Sequence, residues 1–383
     1  MSDRFRVMMI AGEASGDNHG ASVASRIRHY LPDTELFGIG GPRMSEAGVR
    51  ILVDAARLAV VGLVEVISHF PVIYGAWRTV THIIDTDPPD LLILIDYPDF
   101  NLRVARRAKE RGVKVLYFIS PQIWAWRPGR VHSIARRVDR MAVVFPFEAP
   151  LYEAAGVPVD FVGHPLLDTV PPPGDRVDSR RRFGLDPDRP VVGLFPGSRR
   201  SEIRTLLPTI VQSAQRLLQE RPDLQFIIPI ASTLSEGDVA LLSEEGVSAL
   251  LVRGRSLEVM DACDAIITVS GTVTLEIALK GVPMVIIYRV SPLTYAIGKR
   301  LVRVDHIGLC NIVAGERVVP ELIQQDAEPG KICREIGRFL DEPPYAEQVR
   351  ARLRAIRDRL GEPGAADRVA RRALSMCGIA AGG

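Results

Sequence analysis

Aliphatic runs and amphipathic stretches alternate along the first half of the chain: "FRVMMIA" then "GASVASRIRHYL", "LLILID" then "LRVARRAKERG", "VKVLYFIS" then "VHSIARRVDR". Such alternation predicts a parallel sheet covered by helices. A second series follows, with "VVGLFPG", "LQFIIPI", "ALLVRG", "DAIITVSG" and "VPMVIIYRV" as strands and helical stretches between them. Between the two series "VPPPGD", residues 170–175, can continue neither sheet nor helix and predicts a linker. From about Tyr345 the chain is arginine-rich and helix-patterned, broken once at "GEPG". The expected organisation is an N-terminal Rossmann-like domain over 1–170, a linker over 171–176, a second Rossmann-like domain over 177–340, and helices over 341–383 that pack back across both. The fold class is α/β, two parallel-sheet domains facing a cleft.

Composition narrows the function. With 383 residues, 47% of them hydrophobic, the chain can bury a large core, and a net charge of +2 is too small for wholesale nucleic-acid binding. Cys263, Cys310, Cys333 and Cys377 stand far apart in no metal-binding or CxxC spacing, which points to reduced thiols in a cytoplasmic protein. The apolar run Val7–Ala11 is short and closed by Glu13 and Asp17, more a core strand than a signal peptide. The longest apolar stretch, residues 58–77, is interrupted by Glu65, His69 and Pro71; it is too broken to span a bilayer, and either packs in the core or touches a lipid surface.

Ligands of parallel sheets sit at the carboxyl ends of strands, which puts Glu13, Asp96 and Ser120 on one rim. The glycines of "GEASGDNHG" do not match a dinucleotide fingerprint, and "ELFGIGG" ends in glycines where a ribose-binding acid would stand, so a nicotinamide cofactor is rejected. Gly12 alone could explain a tight turn, but Glu13 and Ser15 add polar groups aimed at the rim. In the second series "GLFPGSRRSEI" sets Gly197, Ser198 and Arg199 between strand and helix, and "TVSGTVTLE" does the same with Ser270, Gly271 and Thr272. Backbone N–H groups and a guanidinium there suit a diphosphate. No Walker lysine pattern occurs. "DTD" at 85–87 and "DPD" at 186–188 are not at strand ends, so no metal and no cofactor is expected, and helix N-termini and arginine would meet leaving-group charge. "SPQIWAWRPGRVHSIARRVDR" predicts a helix with an apolar stripe of Val131, Ile134, Ala135 and Val138 and a basic face of Arg127, Arg130, Arg136, Arg137 and Arg140. That face is either solvated or meets anionic headgroups, with Trp124 and Trp126 beside it.

Taken in order, "AGEASGD", "GIGGPRM", "GLVEV", "IDYPDFN", "SPQIWAWR", "FVGHPLLD", "PGSRRSEI", "SGTVTLE" and "CNIVAGERVVPELIQ" resemble the lipid-A-disaccharide synthase family from residue 11 to residue 324. The resemblance implies a glycosyltransferase-B fold, inversion without metal, UDP-2,3-diacylglucosamine as donor, and 2,3-diacylglucosamine 1-phosphate as acceptor. It also implies attachment to the cytoplasmic face of the inner membrane of a Gram-negative bacterium, and it leaves open whether the protein is a homodimer. Carried over by motif, the catalytic aspartate falls on Asp96 with Glu13 and Ser15 beside it, and Arg199, Glu276 and Asn311 fall on the donor side. Cys310 stands where the family pattern has proline. Asp99 is the fallback base, or caps the next helix together with Asn101. Because the substrates implied are acylated, Val60, Val61 and Leu63 and the two tryptophans become candidates for acyl or membrane contact. A UDP-sugar 2-epimerase and a noncatalytic membrane-bound nucleotide-sugar-binding protein are the rival readings.

Overall fold

The structure is a computed structural model. It describes residues 4–58, 63–126, 128–231, 234–291, 295 and 304–380, for 63–69 the backbone alone. The chain forms two compact units, one reaching to Asp168 and regaining the chain from Leu360 onward, the other spanning Thr169–Arg359.

The first unit holds a parallel seven-stranded sheet of β1 (Arg6–Ala11), β2 (Glu35–Gly40), β3 (Arg50–Asp54), β4 (Leu91–Ile95), β5 (Lys114–Phe118), β6 (Arg140–Val143) and β7 (Val159–Phe161), in the order β3-β2-β1-β4-β5-β6-β7. Its centre is unbroken apolar sequence because helices cover both faces: Val7–Ala11 and Leu91–Ile95 are fully buried. The second unit repeats the plan with six parallel strands, β8 (Val191–Phe195), β9 (Gln225–Ile230), β10 (Ala249–Arg253), β11 (Ala265–Val269), β12 (Met284–Tyr288) and β13 (Glu321–Ile323), in the order β10-β9-β8-β11-β12-β13.

The "VPPPGD" stretch is anchored to the second unit. Lys280 Nζ donates to the Pro172 carbonyl at 3.2 Å and pairs with Asp261 at 2.8 Å, while the Gly174 N–H donates to the other Asp261 oxygen at 2.9 Å. The tail divides at Leu360. Helix Pro343–Arg359 stays with the second unit, and helix Ala365–Met376 packs on helix Ala14–Tyr30 of the first, burying Val369, Ala370, Ala373 and Leu374. Tyr30 fastens that contact by donating to Asp367 at 2.6 Å.

The arginine-rich helix is shorter than its pattern suggests. It covers Val131–Ala135, and Arg140 already opens β6, where Asp160 pairs with it at 2.7 Å. Val131, Ile134 and Val138 are buried, as the apolar stripe requires.

Candidate active site

In each sheet the strand order reverses beside the first strand of the series, between β1 and β4 and between β8 and β11. These are the switch points at which adjacent crossovers diverge and leave a crevice at the strands' carboxyl ends.

At the first, Ala11 lies opposite Ile95, so Gly12–Glu13 and Asp96 leave neighbouring strands side by side. A Cβ on Gly12 would come within 2.3 Å of the Tyr97 ring, so the glycine is required by close approach of that ring. Asp96 and Tyr97 both have left-handed backbones, φ 47° and 48°. Each such non-glycine residue costs about 1–3 kcal/mol and persists only where its surroundings over-determine it. Here they do: the Asp96 N–H donates to the Phe118 carbonyl at 3.0 Å, and its carbonyl accepts from the Tyr117 hydroxyl and from Asn101 Nδ2, each at 2.6 Å. Tyr117 and Asn101 are fully buried. Burial, then the charge of Glu13, pushes the Asp96 carboxyl up to about 6.

Glu13 and Ser15 are exposed at the start of helix Ala14–Tyr30. Asp99 is exposed in the first turn of helix Pro98–Glu110 and pairs with Arg130 at 2.8 Å. Neither Asp99 nor Asn101 caps that helix, contrary to the sequence pattern. The helix starts at Pro98, so both residues fall inside it, and the Asn101 amide turns back to clamp the Ile95 and Asp96 carbonyls.

Sequence reasoning missed two buried acids. Asp17 accepts from the N–H groups of Gly41, Arg43 and Met44 and so locks the "GGPRM" turn after β2 to "GEASGD". Glu148, 1% exposed, accepts from Ser120 Oγ at 2.6 Å, from Trp124 Nε1 at 3.1 Å and from the Phe145 N–H at 3.1 Å. Burial pushes it up to about 7. The signal was an acid just beyond the aliphatic run "MAVVF", the same signal that singled out Asp96. Trp124 is thereby tied inward rather than presented to a lipid surface, whereas Trp126 is 42% exposed.

At the second switch point Phe195 lies opposite Thr268, which brings together the turns that carry Gly197, Ser198 and Arg199 and Ser270, Gly271 and Thr272. Gly197 has φ +104°, and a Cβ there would meet Glu202 Oε2 at 2.5 Å, so no other residue fits this turn unstrained. Arg199 is exposed and pairs with Glu202 at 3.3 Å at the start of helix Arg200–Glu220. Ser270 Oγ donates to the Ile307 carbonyl at 2.8 Å. Thr272 precedes helix Val273–Leu279 without capping it through its side chain. Glu276, in that helix, is largely enclosed; burial raises its carboxyl, and among the described residues no donor or cation reaches it.

Asn311 does not offer its side chain to a ligand. Its amide donates to the Val319 carbonyl at 3.0 Å and to Glu321 at 2.8 Å, and its oxygen accepts from the N–H groups of Val318 and Val319, which uses all four of its bonding positions. Glu321 in turn accepts from Ile307 and Gly308, and Ile307 holds Ser270, so Asn311 shapes the Ser270 turn from behind. Cys310 stands second in helix Leu309–Ala314, where an amide has no intrahelical acceptor, so the change from proline leaves this framework intact.

In the apolar stretch, Val60 and Val61 lie outside the described residues, and of Leu63 only the backbone is described, at the start of helix Leu63–Thr86. Pro71 stands inside that helix. Ala76, Val80 and Ile84 enter the core, but Phe70 and Tyr74 are 58% and 49% exposed and form a stacked ladder with Trp77, at 6.2 Å and 5.8 Å between successive rings. The stretch is therefore core on one face only. No helix among the described residues is long and apolar enough to cross a membrane. Asp85 pairs with Arg107 and Arg111, and Asp87 with Arg6, which accounts for "DTD" as surface structure.

Two parallel α/β sheets, each with polar turns at its switch point, define a glycosyltransferase-B-type fold. Solved structures share it: a UDP-N-acetylglucosamine 2-epimerase from Listeria monocytogenes, described as putative, has TM-score 0.65 at 13% identity over 98% of this chain and 97% of that one. Acinetobacter baumannii MurG has TM-score 0.59 at 13% identity over 97% and 100%. At such identity the likeness concerns the fold alone. The family model for lipid-A-disaccharide synthetase matches residues 7–362, and the lipid-A-disaccharide synthase of Geobacter sulfurreducens is 62% identical over 97% of both chains. The chain belongs to the lipid-A-disaccharide synthase family.

Proposed function

We propose that the protein transfers 2,3-diacylglucosamine from its UDP ester to 2,3-diacylglucosamine 1-phosphate, giving the β-1,6-linked disaccharide 1-phosphate and UDP. Asp96 takes the proton of the acceptor's 6-hydroxyl as that oxygen attacks the anomeric carbon opposite UDP, and the departing bond's electron pair leaves with the diphosphate. The observation that carries this reading is Asp96 itself, a half-buried carboxylate on a strained backbone at a switch point in a chain 62% identical to a lipid-A-disaccharide synthase. A carboxyl raised to about 6 is ionised at neutral pH yet more basic than an ordinary aspartate.

On the donor side, the backbone at Gly197–Ser198 and Ser270–Gly271 and the Arg199 guanidinium meet the diphosphate, so the scheme calls for no metal. Arg199's exposed pair with Glu202 contributes at most about 1 kcal/mol and yields readily to a diphosphate. The unpartnered Glu276 carboxylate accepts from the ribose hydroxyls.

The acyl chains and the membrane are met by a groove of about 1580 Å³ between helices Leu63–Thr86 and Pro98–Glu110, with Phe70, Tyr74 and Trp77 along it and Arg103 and Arg137 at its edge. The groove supports peripheral attachment to the cytoplasmic face of the inner membrane, aromatic ladder toward lipid and arginines toward anionic headgroups. Incubating purified protein with both lipid substrates tests the reading: disaccharide and stoichiometric UDP are expected, and UDP release without disaccharide would contradict it.

A further inference from the structure

A smaller space opens on the other side of Pro98. Asp96, Ser120, Gln122 and Glu148, with Trp126 and Arg130, line a cavity of about 240 Å³ at the carboxyl ends of β4, β5 and β6. Pockets for drug-sized ligands run to about 300–1000 Å³, so this one has room for a single small ring. Its wall combines a carboxylate, an exposed amide and an indole face, the mixture that binds a pyranose through its hydroxyls and its C–H face.

Arg130 adds a charge preference. Its guanidinium sits 2.8 Å from Asp99, whose side chain is 81% exposed. Such an exposed pair contributes at most about 1 kcal/mol, and a phosphomonoester, with more charge and a geometry that suits guanidinium, displaces it. Glu148 is different. It is buried, and its oxygens already accept from Ser120, Trp124 and Phe145, so it orders the wall instead of contacting a ligand. Ile119, just before Ser120, has φ 62°, a second strained backbone held at the same cavity.

We propose that this cavity is the acceptor subsite: it takes the pyranose ring of one phosphorylated amino sugar, primary hydroxyl at Asp96 and phosphomonoester at Arg130, and Glu148 is a positioning residue that fixes its wall through Ser120 and Trp124. The assignment rests on Asp96 being the base that receives the acceptor's proton.

Tryptophan fluorescence, with Trp126 lining the cavity and Trp124 bonded to its Glu148, gives a direct test with soluble probes: glucosamine 1-phosphate, glucosamine and inorganic phosphate. Saturable binding is expected for glucosamine 1-phosphate alone, in competition with the lipid acceptor. Arg130→Ala should weaken it about tenfold, the loss of one charge-assisted contact. Equal binding of inorganic phosphate would overturn the sugar assignment. In steady-state assays Arg130→Ala and Gln122→Ala should raise the acceptor KM and leave the donor KM unchanged. An unchanged acceptor KM in both folded variants, or a rise in donor KM alone, would overturn the pocket. Glu148→Gln should raise the acceptor KM more than it lowers kcat, and if it fails to fold, Ser120→Ala carries the same test. Should the wild type bind glucosamine 1-phosphate but form no disaccharide, the catalytic reading fails and the pocket stands.

Discussion

Asp96 shows how a single residue can be chemically legible and structurally hidden. An acid after "LLILI" points to a strand-end carboxylate, but nothing in "IDYPDFN" foretells two left-handed residues or the Tyr117 and Asn101 bonds that hold them. Those bonds come from β5 and from the next helix, so they exist only once the sheet has formed. Asp96→Asn should lower turnover by roughly 10²–10⁴, the usual contribution of a general base, while UDP affinity stays as it is. Because folding raises this carboxyl from 3.8 to about 6, its protonated form stabilises the fold fully below about pH 4, and that contribution is lost as pH rises through about 6. The Asn variant, which has no charge to bury, should therefore melt no lower than wild type at pH 8; a clear drop in Tm would mean the charged form is itself holding structure. Wild-type kcat should fall as pH drops below about 6. Burial holds His19 down to about 4 and His164 to about 3, so a limb that persisted unchanged in a His19→Gln variant would fit Asp96.

Glu276 and Asn311 separate two residues that family pattern alone groups together. Glu276 lacks a protein partner among the described residues, and Asn311 has every bonding position filled. Charge-assisted hydrogen bonds contribute about 1.5–3 kcal/mol each, so Glu276→Ala should weaken UDP binding at least about tenfold with little change in melting. Isothermal titration with UDP and 2′,3′-dideoxy-UDP checks this, since equal losses for both ligands would remove the ribose from Glu276. Asn311→Ala should chiefly lower Tm, as it strands buried N–H and carboxylate groups.

Among elements, the strands that composition reveals are those buried on both faces, where parallel pairing demands an unbroken aliphatic run. β3, β7 and β13 escaped because they are half-exposed or three residues long, and β6, though buried, because it follows directly on the arginine-rich stretch read as helix through Arg140; β10 was read although it is half-exposed. Helix Leu63–Thr86 is the instructive case. Its apolar content fits a core segment or a lipid-facing one, and in the fold one face packs inward through Val80 and Ile84 while Phe70 and Tyr74 stand exposed on another. Composition cannot say which residues take which face before the helix is docked. Replacing Phe70 and Tyr74 together with serine should reduce sedimentation with anionic liposomes and activity on long-chain substrates, while circular dichroism and Tm stay near wild type because both rings are exposed. Unfolding of that variant would assign the ladder to the core instead.

At the scale of the whole molecule, two copies of one plan each carry a switch point: one holds the raised Asp96 carboxyl, the other the glycine turns and Glu276, which has no partner among the described residues. The duplication was visible in the sequence as two alternating series. The return of the chain at Leu360 to pack helix Ala365–Met376 on the first unit was visible only as an arginine-rich helical tail. Arg368, Arg371 and Arg372 stand three and four residues apart on one side of that helix, and its small buried face of Ala370, Ala373 and Leu374 does not announce which unit it covers. The most direct test is product formation by the purified protein from UDP-2,3-diacylglucosamine and 2,3-diacylglucosamine 1-phosphate in EDTA, beside Asp96→Asn under the same conditions. The account predicts one disaccharide 1-phosphate per UDP from the wild type, undiminished by the chelator and nearly absent in the variant; a requirement for divalent ion, or full activity of Asp96→Asn, would contradict it.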